Sequence, residues 1–144
     1  MGGLSTVGYE GRTVDDLITS LTADGVEILV DVRLTPLSRK PGLSKNRLAS
    51  GLRAAGIDYL HLPQLGNPRA NRDGFRRGDS AAVATYRTVL RTPEGQAALG
   101  QLRLLVTQHR VSLLCFEHDA GNCHRSMIAD ALVAAGAVTT IAHL

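Results

Sequence analysis

Residues 115–126 read CFEHDAGNCHRS. They hold both cysteines of the chain, Cys115 and Cys123, together with His118, His124, Glu117, Asp119, Arg125 and Ser126. Such a group suits a nucleophilic thiol, a metal clip, an anion cradle, or plain packing. The apolar VSLL precedes it and the helix-like MIADALVAAG follows, so Cys123 to Ser126 fall where a helix begins. The free N–H groups of a helix start carry about half a positive charge. That field lowers a thiol pKa, which favours the thiolate of Cys123. With the planar fork of Arg125 it also suits phosphate, sulfate or carboxylate. On this reading Cys123 is a nucleophile or redox thiol, and His124 or Glu117 carries the proton. Arg125 and Ser126 hold the anion. The plain alternative makes Ser126 a helix cap and Cys123 a buried filler, as free cysteines commonly are.

Cys115, His118, Cys123 and His124 include ligand types for zinc. Their spacing, C-x2-H-x4-C-H, is not that of a finger or ribbon, and adjacent Cys and His rarely converge on one ion. Cys115 is expected to point from a strand into the core. No metal or other cofactor is expected, and a metal-stabilised interaction protein is kept only as an alternative.

The elements that must position these residues follow from one recurring junction. LTADG (21–25), LRAAG (52–56) and LVAAG (132–136) each lead into a β-rich run. Each reads as a helix end with Gly in the left-handed C′ position, turning into a strand. Thr13 and Asp16 suit a capping box, with Val14, Leu17, Ile18 and Leu21 on one face. Ser44 is expected to cap a second helix. Residues 63–79 read as a polar loop, a helix follows from about Ser80, and Thr92-Pro93 starts another. Strands are expected at about 5–9, 27–32, 57–62, 111–116 and 138–142. Strands alternating with helices predict a single-domain three-layer α/β/α sandwich with a mostly parallel sheet of about five strands.

Open α/β sheets bind ligands at the carboxyl ends of their strands. Those ends bring Tyr9, Glu10 and Arg12, then Asp31 and Arg33, then His61 and Gln64 followed by Asn67, and finally Cys115, Glu117 and His118 to one edge. Glu10 is a second acid/base candidate. Tyr9, Arg12, Asp31, Arg33 and Gln64 are candidate substrate contacts, and Asp31 and Arg33 suit a structural ion pair equally well. His61, among apolar neighbours, reads as a buried, hydrogen-bonded group.

The 144 residues carry a formal charge of +3, a mild lean toward anionic partners. The lean is local: residues 33–53 hold Arg33, Arg39, Lys40, Lys45, Arg47 and Arg53 and no acid. With five aromatic residues and no Trp, stacking platforms for single-stranded nucleic acid are scarce, though phosphate contacts alone could serve. No apolar run approaches the ~20 residues of a membrane span, and no signal peptide pattern opens the chain, so a cytoplasmic location is expected.

The segments TVGYEGRTVDDLITSL, VEILVDVRLTPLSRKPGLSK, IDYLHLPQLGNP and VSLLCFEHDAGNCHRSMIADAL together resemble the domain-of-unknown-function family 488. The matching positions are Gly8, Glu10, Asp31, Arg33, Pro36, Leu62, Pro63, Cys115, Glu117, Cys123, His124 and Arg125. The resemblance implies a small cytoplasmic α/β protein and leaves the reaction open. A weaker likeness is to rhodanese-type sulfurtransferases, in the VDVR strand and the Cys-bearing loop before an Arg-Ser helix start. Neither cysteine has the short cradle spacing of a rhodanese. The expected function is an enzyme acting on an anionic, phosphate-bearing substrate at the strand ends. A nucleic-acid or nucleotide binding module is the alternative, dependent on Arg39, Lys40, Lys45 and Arg47.

Overall fold

Apolar alternation settles which side of each strand meets which helices. The computed structural model describes residues 2–144. Its strands are β1 (Gly3–Gly8), β2 (Ile28–Asp31), β3 (Asp58–His61), β4 (Arg110–Cys115) and β5 (Ile141–His143). They form one sheet in the order β3-β2-β4-β1-β5, with every pairing parallel. The helices are α1 (Val14–Ala23), α2 (Lys45–Ala54), α3 (Arg72–Arg76), α4 (Ser80–Arg91), α5 (Pro93–Gln108) and α6 (Arg125–Ala134).

Val7, Leu29 and Leu114 face one side and pack with Leu17 and Leu21 of α1 and Leu48 and Leu52 of α2. Leu4, Val30, Val111 and Leu113 face the other and pack with Tyr86 of α4, Leu102 of α5 and Ile128 of α6. The three-layer sandwich is therefore as the alternation of strands and helices implied. Both faces of the central strands are covered, which is why they read as continuous apolar runs.

The helix-to-strand junctions are as expected. Gly25, Gly56 and Gly136 have φ of 74°, 80° and 74°, in the left-handed region that Gly enters without steric cost. Thr13 and Asp16 form a reciprocal capping box, and the Thr92 hydroxyl accepts from the Gly95 N–H. Ser44 departs from expectation. Its hydroxyl exchanges hydrogen bonds with the backbone of Ser38, tying down the basic loop instead of capping α2.

Two stretches differ from the expected elements. The last strand begins at Ile141, because Val138 turns into the core first and β5 pairs only with β1 at the sheet edge. Residues 63–79 are not a plain loop. They make 3-10 turns at Pro63–Leu65 and Arg69–Asn71 and then α3. Phe75 is buried edge-on against Tyr86, and the Tyr86 hydroxyl donates to the Leu65 carbonyl at 2.7 Å. The Asn71 amide donates to Asn67 Oδ1 and to the Ala82 carbonyl. These anchors give a polar segment enough tertiary support to form a helix too short to stand alone.

Gly8 ends β1 where the loop after β4 crosses it. A Cβ at that position would overlap the Glu117 carbonyl. Gly8→Ala is expected to lower stability by about 1–3 kcal/mol in urea titration, since backbone must move. Gly100→Ala, in α5 with open space around it, should leave the midpoint unchanged or raise it slightly.

Candidate active site at the strand ends

A carboxylate with no water contact must be saturated by donors, and Asp31 at the end of β2 is fully buried. Its oxygens accept from the Arg33 N–H at 3.1 Å, from Arg33 Nε and Nη2 at 2.9 and 2.7 Å, and from the Tyr59 hydroxyl at 2.6 Å. Arg33 Nη1 donates to the Leu43 carbonyl at 2.8 Å, and the guanidinium lies 5.4 Å from the Tyr9 ring centre. Burial works against the charge on Arg33, yet the bonds to Asp31 outweigh it and hold its pKa above the usual arginine value. Burial and the same carboxylate push the Tyr59 hydroxyl upward. His61 Nε2 meets the Arg33 carbonyl at 2.8 Å, a satisfied position as expected. Asp31 and Arg33 thus form a structural pair that fixes the chain entering the basic loop.

Arg125 is the opposite case, a buried cation without a carboxylate partner. It is wholly enclosed and its fork is used inward. Nη1 donates to Cys115 Sγ at 3.0 Å and to the Glu117 carbonyl at 2.6 Å, and Nη2 donates to the His118 carbonyl at 3.0 Å. Burial, opposed by the charges of Glu117 and Asp119, lowers its pKa to about 10. The fork expected to grip an external anion instead organises the loop after β4. Ser126 likewise turns inward and donates to the Cys123 carbonyl at 2.9 Å.

The two cysteines converge. Their sulfurs are joined as a disulfide, with Cα atoms 7.4 Å apart, and both residues belong to the core on the α4–α6 side. Cys123 is extended at φ −132°, ψ 144°, and His124 turns into the helix at φ −60°, ψ −19°. That bend lets adjacent side chains meet, against the expectation from sequence spacing: Cys123 Sγ lies 3.6 Å from His124 Nδ1. His124 Nε2 meets the Val32 carbonyl at 2.8 Å, and the ring packs edge-on against Tyr86. Burial lowers the His124 pKa to about 4, despite the Val32 bond, so the imidazole is neutral. The donor atoms of Cys115, Cys123 and His124 lie within 4.8 Å of one another. His118, exposed, is not among them.

Above this cluster a crevice of about 200 Å³ opens at the carboxyl edge of the sheet, lined by Tyr9, Arg33, Asn67, Arg72, Arg76, Cys115, Glu117 and His124, with Leu34, Thr35, Leu37 and Phe116 at its sides. Of the sequence candidates, Tyr9, Arg33, Glu117 and His124 reach it. Asp31 and Arg125 lie behind its walls, and Glu10, Arg12, Gln64 and Ser126 do not line it. Glu10 accepts from the His118 N–H at 2.9 Å and so braces the loop. Arg12 has a buried Nη1 without a partner. Cys115, expected to be packing, lines the crevice, whereas Cys123 lies beneath it.

Sequence reasoning missed Arg72 and Arg76. The available signal was an i, i+4 arginine pair around Phe75, hidden within a stretch read as loop. Among the described residues Arg72 makes no side-chain hydrogen bond or ion pair, and Arg76 is only loosely paired with Asp73, at 3.9 Å. The Asn67 carbonyl oxygen is engaged by Asn71, which leaves its amide N–H groups for the crevice.

A family model described as a domain of unknown function, DUF488, matches residues 13–132, most of the chain. The chain belongs to the DUF488 family. No curated protein and no solved structure matches it, so the rhodanese likeness gains no support. In this DUF488 protein the family match runs from the start of α1 to within α6 and includes the cysteine–histidine cluster and the crevice arginines. No helix of the described residues is long and apolar enough to cross a membrane.

The buried pair behind the crevice gives a direct test. Asp31→Asn leaves Arg33 with a poorly compensated buried charge and is expected to cost about 3–5 kcal/mol. Tyr59→Phe removes a single hydrogen bond and should cost about 1 kcal/mol. Chemical denaturation of the two variants checks the ranking.

Proposed function

We propose that the protein is a small enzyme that binds an anionic, phosphate-bearing substrate in the strand-end crevice and does its chemistry at the cysteine–histidine cluster on the crevice floor. The observation that carries this reading is that Arg72, with no side-chain partner among the described residues, and Arg76, only loosely paired with Asp73, line the same crevice as Cys115 and His124. Arg33 also lines the crevice, but Asp31 neutralises it. Two arginines then stand against one acid, Glu117, and an anion is the ligand such a field favours. Arginine forks match the oxygens of a phosphate, and the Asn67 amide adds a neutral donor.

The crevice is more than a charge. Leu34, Leu37 and Phe116 are 41%, 69% and 37% exposed at its side, and Phe116 stacks edge-on against Tyr9. A substrate with an apolar or planar part beside its anionic group fits both surfaces. Glu117, the one acid in the lining, is the proton carrier of choice, because the neutral, buried His124 is committed to Val32. Once the disulfide is reduced, the thiol at the crevice is that of Cys115 in place of Cys123.

A second reading keeps the basic loop as a nucleic-acid contact. Arg39, Lys45 and Arg47 are exposed around an open groove of their own, while Lys40 is bound to the Tyr9 and Arg12 carbonyls at 2.9 and 3.0 Å. Titration with inorganic pyrophosphate separates the two. Arg72→Ala with Arg76→Ala is expected to weaken binding at least about tenfold, the loss of one or two charge-assisted bonds. Arg39→Ala with Arg47→Ala should change it less than about twofold. The reverse pattern, with steep salt dependence of binding to single-stranded nucleic acid, would favour the loop and overturn the crevice reading.

A further inference from the structure

The crevice floor gathers the donors of a metal centre: Cys115, Cys123 and His124 bring two sulfurs and a ring nitrogen within 4.8 Å of one another. A tetrahedral zinc ion with Zn–S of about 2.3 Å and Zn–N of about 2.0–2.1 Å places its sulfur and nitrogen ligands about 3.6 Å apart, and two sulfurs about 3.8 Å apart. Cys123 Sγ and His124 Nδ1 already stand 3.6 Å apart. The two sulfurs are bonded to each other in this form, so they can ligate an ion only after reduction lets them part.

The surroundings orient these donors. The Val32 carbonyl can only accept, so His124 Nε2 carries the ring proton and Nδ1 presents its lone pair to Cys123. An outer bond of this kind is what commonly fixes the tautomer and angle of a ligating histidine. Arg125 Nη1 donates to Cys115 Sγ at 3.0 Å, a bond that stabilises thiolate.

We propose that in the reduced protein Cys115, Cys123 and His124 hold a zinc ion whose fourth position opens into the crevice. Cys115 and His124 line the crevice, so the open position faces bound substrate. Three protein ligands and an open site mark a catalytic zinc as distinct from a structural one. The role, though not the ligand set, rests on the crevice reading: the ion would polarise a substrate oxygen or a water beside the anion held by Arg72 and Arg76. The disulfide is the metal-free form. A phosphine reductant converts it to two thiols, gaining one oxygen from water as the phosphine oxide, and zinc uptake then releases the thiol protons.

Cobalt(II) substitution tests this. Protein reduced with a phosphine, freed of reductant and titrated with cobalt(II) should develop tetrahedral d–d bands and thiolate charge-transfer absorption, saturating at roughly one equivalent per chain. Zinc should displace the cobalt. Cys123→Ser and His124→Ala should lose or strongly weaken the bands, and the oxidised wild type should show none. Because these residues are buried, a rise in the melting temperature of reduced wild type on adding zinc is a readout free of variants. Absence of both the bands and the rise overturns the proposal, as do bands that survive in both variants. Pyrophosphate should perturb the cobalt spectrum of the wild type but not that of Arg72→Ala/Arg76→Ala. Metal uptake without that perturbation sinks the crevice reading alone. Pyrophosphate binding without metal uptake sinks the zinc proposal alone.

Discussion

The arrangement at the strand-end edge depends on how one buried cation is held. A guanidinium out of water costs several kcal/mol unless its donors are used. Arg125 has no carboxylate within its fork, so it takes the Glu117 and His118 carbonyls and the Cys115 sulfur, while its Nε stays buried without a partner. Two of these acceptors are backbone, which holds the chain after β4 in one path over Gly8. That path brings Cys115 beside Cys123 and puts Glu117 at the crevice. An arginine that seemed suited to substrate is instead the internal strut of the site.

A second buried charge organises the opposite wall. Asp31 collects three bonds from Arg33 and one from Tyr59, and Arg33 extends to the Leu43 carbonyl. The basic loop is thereby tied to the sheet at its start and near its end. Lys40, bound to the Tyr9 and Arg12 carbonyls, ties it in the middle. The loop's charge is consequently divided. Part of it is structural, in Arg33 and Lys40, while Arg39, Lys45, Arg47 and Arg53 stay exposed at the surface. Counting basic residues overstates how many can meet a ligand.

Much of the fold was legible from local rules. The Leu-x-Ala-x-Gly junctions mark helix ends because only Gly enters the left-handed region freely there, and the capping box at Thr13 involves residues three apart. The gathering of polar residues at the strand ends was also legible, since a parallel sheet brings those ends to one edge. Less legible were the residues whose roles depend on distant partners. Arg72 and Arg76 lie on a short helix that exists because Phe75 finds Tyr86 and Asn71 finds Asn67 and Ala82. Ser44 looked like a cap, but Ser38 competes for its hydroxyl.

The sequence by itself determined the layered α/β architecture, the edge on which the polar strand-end residues gather and the membership of the cysteine loop. Those follow from periodicity, turn residues and short-range capping, which one stretch of chain sets. Tertiary structure decided which groups point where. Cys115 faces the crevice and Cys123 lies below it. Arg125 turns inward, His124 meets Cys123 across a bend, and Arg72 and Arg76 bring their guanidinium groups to the crevice lining. Side-chain direction at a strand end depends on which neighbouring carbonyls and sulfurs can satisfy each buried donor. In this chain those acceptors lie on other elements, Val32 for His124 and the end of β4 for Arg125, brought near only when the sheet assembles.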